Sequence, residues 1–207
     1  MTSFDKIQYE LKMHLKNHFW VYFFIILTMV IGLVLGIVLI FSENSYVDLL
    51  NSDDQNLLEY INGSANLSSL FFKRLFSSLL FIAIIFLSNM VIETSFLSVL
   101  VLGYQSLLLV LSCDAIISLQ GANGVINCLL LILPVNIINL LAMAFFCGCM
   151  ISRAAVAKKF RMNFAESSKY VKLNVTAGVS LCIIFIACII HSVIIPLLIK
   201  SFIIINF

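Results

Sequence analysis

Leu133-Pro134-Val135-Asn136-Ile137-Ile138-Asn139 interrupts a long apolar stretch with a proline and two carboxamides. Hydrocarbon tolerates such residues only where protein or a hydrated cavity satisfies them. Pro134 has no N–H and leaves the carbonyl near Leu130 without its helical donor, which predicts a kink. Asn136 and Asn139 are three residues apart and share a helix face, so both amides can hydrogen-bond to a neighbouring helix. Gln105, Asp114 near an outer end, Glu93 in a short inner turn and His191 are the candidate polar companions in or beside the apolar runs. Two uses compete for this set. The residues can tie helices together, or they can line a path for a solute or proton.

Covalent chemistry finds less material. The chain has no phosphate-cradling glycine loop, no H-E-x-x-H, no G-x-S-x-G and no carboxylate pair at useful spacing on one helix, so no enzyme and no cofactor are expected. His14 and His18 are four apart, but two imidazoles do not make a metal site. Cys113, Cys128, Cys147, Cys149, Cys182 and Cys188 all fall in or beside apolar runs, which predicts small packing residues rather than a disulfide framework or metal ligands.

The elements that must position these residues are set by composition. Of 207 residues 62% are hydrophobic and 11% charged, with a mean hydropathy of +1.14. The reading is an all-α polytopic transmembrane bundle forming one integral membrane domain over 1–207, with the lipid bilayer as its first partner. Five runs meet the roughly 17 residues that a spanning helix needs: 19–41, 75–92, 96–119, 125–151 and 175–199. The first is too long for a signal-peptide core and lacks a cleavage pattern, so it reads as a retained span. Gly121-Ala122-Asn123-Gly124 is the one clear turn between 96 and 151, and Pro134 could divide 125–151 into two pieces. Gly32 and Gly36 form a GxxxG in the first span, and Ala144 with Gly148 repeats the small-residue spacing in the fourth; both permit close helix approach, within the chain or in a homo-oligomer.

Charge gives the orientation. Lys6, Lys12, Lys16, Arg153, Lys158, Lys159, Arg161, Lys169 and Lys172 fall on one side of a five-span layout, and only Lys73, Arg74 and Lys200 on the other. The positive-inside rule puts the N-terminus and the basic 152–173 loop in the cytoplasm. A net charge of +2 gives no reason to expect nucleic acid. Phe4, Ile7, Leu11 and Leu15, and later Val156, Phe160 and Phe164, recur at helical spacing among basic residues, as in helices lying on an inner leaflet. The outer 42–72 loop holds Ser52-Asp53-Asp54-Gln55, a capping-box form, followed by Leu57, Leu58 and Ile61 on one face and Asn62-Gly63 as a stop. Asp53, Asp54, Gln55, Leu57, Leu58 and Ile61 are accordingly the candidate docking residues for an outside partner. Asn62-Gly63-Ser64 and Asn66-Leu67-Ser68 match a glycosylation sequon that is common by chance.

The arrangement resembles the stage II sporulation protein M family of bacterial membrane proteins. The resemblance rests on the basic tail, Gly32 and Gly36 in the first span, the outer helix from Ser52 to Tyr60, Leu102-Gly103-Tyr104 in the third span, and above all Leu133-Pro134-Val135-Asn136-Ile137. It implies a non-enzymatic scaffold in the plasma membrane that recruits cell-wall hydrolases from its outer face, with the 42–72 loop as the contact. The competing expectation is the membrane subunit of an ABC-type exporter. There the 152–173 loop would meet an ATPase, and Asn136, Asn139, Gln105 and His191 would line a path.

Overall fold

In the computed structural model, Lys16 and residues 18–42, 67–160, 173–195 and Leu197 are described. These residues are helical, with no strand among them. Helix α1 spans Phe19–Phe41 and α2 spans Leu67–Ser88; a short 3-10 turn, Ile92–Thr94, leads into α3 at Ser95–Gln120. After Gly121 come α4 (Ala122–Asn127), a π-helical turn (Cys128–Ile132) and α5 (Leu133–Phe160). Helix α6 covers Leu173–Ile189 and continues into a second π-helical turn at Ile190–Ile194. Four segments are long and apolar enough to cross a membrane: Phe19–Phe41, Phe71–Ser88, Ser95–Ser118 and Leu133–Phe160. A fifth, Ala177–Ile189, is apolar but shorter. The protein is a membrane-embedded helical bundle.

Several boundaries differ from the expected ones. The second helix begins at Leu67 and ends at Ser88, rather than running from 75 to 92. Lys73 and Arg74 deferred the expected start, yet they are flanked by Phe71, Phe72, Leu75 and Phe76 and sit comfortably in a helix. The fourth run is divided at the π-helical turn just before Leu133-Pro134, and its second part continues to Phe160, so the first residues of the expected basic loop extend α5. The docking residues Asp53, Asp54, Gln55, Leu57, Leu58 and Ile61, and the N-terminal Phe4, Ile7, Leu11, His14 and Leu15, lie outside the described residues.

Helix directions follow from who touches whom. Helices α1 and α3 form the most extensive pair, and their contacts advance together: Gly32 meets Gly103, then Gly36 meets Leu107 and Val110. They are parallel. Cys147 of α5 reaches Ser98 of α3, while Asn139 shares a cavity with Gln105 and Ser112, so α5 runs the opposite way. Lys158 at the end of α5 meets Glu93 in the α2–α3 turn, and Arg74 near the start of α2 meets Asn136 near the start of α5, making α2 and α5 parallel. Cys188 of α6 lies against Ser78 and Arg74 of α2, an antiparallel pair. One end of the bundle therefore gathers His18, the 89–94 turn, Lys158 and Lys159. That is the basic end the charge layout assigns to the inside.

Glycine makes the α1–α3 approach possible. A Cβ on Gly32 would run into the Gly103 carbonyl oxygen, and one on Gly103 would stand 2.9 Å from Thr28 Cγ2. A Cβ on Gly36 would lie 2.9 Å from Val110 Cβ. The GxxxG thus works within the chain. Gly148 does the same for α5: a Cβ there would come within 2.6 Å of the Tyr22 ring. Small-residue seams of this kind replace the hydrophobic driving force, which lipid does not supply between helices.

Gly32→Val is expected to destabilise the bundle by about 1–3 kcal/mol, because the obstacle is backbone that cannot rotate away. Val34→Ala, a neighbour at a lipid-exposed position, should change little. Thermal unfolding of the detergent-purified variants distinguishes them.

Candidate intramembrane polar site

Two apolar clusters bracket a polar layer. The larger one, toward the basic end, includes Tyr22, Ile25, Ile85, Leu102, Met143, Phe146, Cys147 and Ile184. The smaller, toward the other end, joins Ile116, Ile132 and Ile195 with Val135 and Ile190 against them. Between them lies a cavity of about 30 Å³, counted as room for the centres of water molecules. That is space for one or two waters. Arg74 of α2, Gln105, Leu108, Leu109 and Ser112 of α3, and Asn136, Asn139, Leu140 and Met143 of α5 line it.

Arg74 anchors this layer. It stands seven residues into α2, about 10 Å along the axis at 1.5 Å per residue. Its Nη2 donates to Asn136 Oδ1 at 3.0 Å. The Asn139 side chain is 7% exposed, and its Oδ1 has no hydrogen-bond partner among the described residues. Ser112 Oγ donates to its own helix, to Leu108 O at 2.7 Å. His191, on the second π-helical turn, is 3% exposed and lies within electrostatic reach of Arg74; its Nε2 has no hydrogen-bond partner among the described residues.

Of the residues expected to form an intramembrane set, Gln105, Asn136 and Asn139 meet in one cavity. His191 approaches from α6, and Pro134 sits at the exposed start of α5, just before Asn136. Asp114 is half-buried on α3 and does not line the cavity. Arg74 is the residue that sequence reasoning placed wrongly, as a loop charge. The signal was its apolar surroundings on both sides, which favour helix over loop.

Hydroxyls elsewhere in the bundle are mostly satisfied locally. Ser98, Ser106 and Ser152 donate to the carbonyls of Ser95, Leu102 and Gly148 at 2.6, 2.9 and 2.7 Å, and Thr28 to Phe24 at 2.9 Å. Such back-bonding lets small residues stay in helices and pack closely. At the basic end, Asn89 Nδ2 donates to Ile85 O at 2.7 Å, and Thr94 Oγ1 to Ser88 O at 2.7 Å, which binds the tight α2–α3 turn. Lys158 Nζ meets Glu93 Oε1 at 2.8 Å on the surface, and this bond holds the Glu93 carboxyl below its ordinary range.

The layer offers amides, a guanidinium and an imidazole. It carries no carboxylate–base or nucleophile–base pair, and no group of three metal-ligating side chains occurs among the described residues. Comparisons with protein-family models, with curated proteins and with solved structures find no match to this chain.

Asn136→Leu should cost more stability than Asn139→Leu. The first removes the acceptor of a part-buried guanidinium bond, whereas the second removes an unsatisfied oxygen. A double-mutant cycle of Arg74→Ala with Asn136→Ala should give a coupling of about 1–2 kcal/mol; additive effects would show that the bond contributes nothing. The Glu93–Lys158 pair behaves differently. A carboxyl lowered in the folded state adds stability above its unfolded pKa and loses it as pH falls through the lowered value. Both partners are exposed, at 64% and 63%. Lys158→Ala should therefore remove only a small, salt-sensitive increment at neutral pH and none in strong acid, read as melting temperature against pH.

Proposed function

We propose that the protein is a non-enzymatic scaffold of the plasma membrane that anchors extracytoplasmic, cell-wall-remodelling partners, as its resemblance to the stage II sporulation protein M family implies. The observation that carries this reading is the small volume of the polar layer's cavity. Arg74, Gln105, Asn136 and Asn139 surround room for one or two waters, and an apolar cluster of buried side chains lies between them and the basic end. Small-molecule sites run to about 300–1,000 Å³, so the cavity suits packing better than solute passage. The exporter reading needs these same side chains to line a path, and the small volume weighs against it.

The Leu133-Pro134-Val135-Asn136 segment supports the reading in a second way. It begins α5, and Asn136 joins α5 to α2 through Arg74. A rigid anchor is what a docking loop between α1 and α2 would need. The contact residues Leu57 and Leu58 rest on the sequence pattern, with one apolar face rimmed by Asp53 and Asp54.

Leu57→Asp with Leu58→Asp should leave the amount and melting temperature of purified protein unchanged while abolishing crosslinking to a cell-wall hydrolase in membranes. Undiminished crosslinking by the folded variant would remove the docking role. Crosslinking to an ATPase through the 152–173 loop would replace the scaffold with the exporter.

A further inference from the structure

The lining of the polar cavity is electrically one-sided. Among the described residues around it, Arg74 carries a formal charge, Gln105, Ser112, Asn136 and Asn139 are neutral, and the rest are apolar. Donors also dominate. Arg74 Nη2 donates to Asn136 Oδ1 at 3.0 Å, which fixes the direction of the Asn136 amide. Its oxygen serves the guanidinium, and its NH2 group remains to donate. One such bond does not exhaust a guanidinium, which has five N–H donors. Asn139 is 7% exposed, and its Oδ1 has no hydrogen-bond partner among the described residues. Turning that amide by half a circle breaks no bond at the oxygen and replaces an orphan acceptor with an NH2 donor. The Gln105 amide, half-buried on the same lining, supplies another. Ser112 adds no donor, because its hydroxyl proton goes to Leu108 O.

We propose that the polar layer binds a small monovalent anion, chloride, through the Arg74 guanidinium and the amide NH2 groups of Gln105, Asn136 and Asn139. Size selects the ion. About 30 Å³ of room for water centres admits a halide in place of water and excludes phosphate, sulfate and carboxylates. Charge selects the sign, since the guanidinium repels a cation. Its attraction for an anion is far stronger in this setting than in bulk water, because the effective dielectric is lower. Arg74 stands three residues inside the end of Phe71–Ser88, about 4.5 Å along the axis, so the site lies close to the aqueous phase away from the basic end. The ion would join α2, α3 and α5 at one point, each helix contributing a donor. It is a structural part of the bundle, and its presence is independent of what the 42–72 loop contacts.

The test uses the whole protein purified in mild detergent and melted in mixtures of sodium chloride and sodium gluconate at equal ionic strength. Gluconate is too large for the cavity. The melting temperature should rise saturably as chloride replaces gluconate, by about 3–6 °C at ten times the half-saturating concentration, and bromide should substitute for chloride. Arg74→Gln should abolish the difference between the salts. Asn139→Leu, the milder change to the bundle, should raise the half-saturating chloride concentration about tenfold or more. That variant keeps the test decisive if Arg74→Gln fails to fold. Identical melting of the wild type in the two salts, or an unchanged chloride dependence in either folded variant, overturns the proposal and leaves a cavity that holds water only.

Discussion

The close approach of α1 and α3 is the contact on which the other placements depend. At Gly32 and Gly103 backbone meets backbone, and the helices come together because neither glycine carries a Cβ. Tyr22, held on α1 by that pairing, then fills the space over Gly148 of α5 and stacks obliquely against Phe145, with ring centroids 5.6 Å apart. Cys147, one residue before Gly148, reaches Ser98 of α3 at 3.3 Å. Three helices are locked in this way by small residues and one aromatic. In lipid no water is expelled between helices, so surface fit of this kind must do what apolar burial does in a soluble core. The register of α5 against α3 follows from it, and so does the meeting of Asn139 with Gln105.

Pro134 imposes a second constraint. Each π-helical turn, Cys128–Ile132 and Ile190–Ile194, ends two residues before a proline of the sequence, Pro134 and Pro196. A proline cannot donate to the carbonyl four residues back, and its ring crowds that carbonyl. Widening the preceding turn re-routes the backbone bonding inside the helix, which hydrocarbon requires because no water is there to replace a lost bond. The expected kink thus takes the form of a local change in helical pitch. The cost falls on two positions that matter to the polar layer. One turn leads directly into Leu133 and Asn136, and the other carries His191.

How much of this was legible in the sequence depended on whether local pattern or tertiary contact decided the outcome. The first helix was legible to its ends, 19–41 against Phe19–Phe41, because a continuous apolar run bounded by polar residues leaves no competing reading. The Gly121 turn and the GxxxG were legible for the same reason, though only the fold shows that Gly32 meets Gly103 rather than a second copy. The start of α2 was not legible. A Lys-Arg pair ahead of an apolar run looks like a loop charge, and what draws Arg74 into the bundle is an acceptor 62 residues away in sequence. Asn136, Asn139 and Gln105 were identifiable as a polar set, whereas the exclusion of Asp114 from their cavity needed the rotation of α3 about its axis.

Charge placement completes the logic. An arginine at the centre of a membrane helix costs roughly 2.5–3.5 kcal/mol on insertion scales; Arg74 lies near one end of its span, and the Asn136 amide offsets part of its cost. Arg74 lies on the half of α2 away from the basic end, where its long side chain needs only to reach a small hydrated layer. The consequence is a bundle divided along its axis. The part nearer the basic end is packed with Tyr22, Ile25, Leu102, Met143 and Phe146, with Asn89 buried at the α2–α3 turn, while Arg74, Gln105, Asn136 and Asn139 gather in the polar layer. The buried amides serve helix register on both sides of the bundle: Asn136 ties α5 to α2, and Asn89 binds the turn that sets α2 against α3.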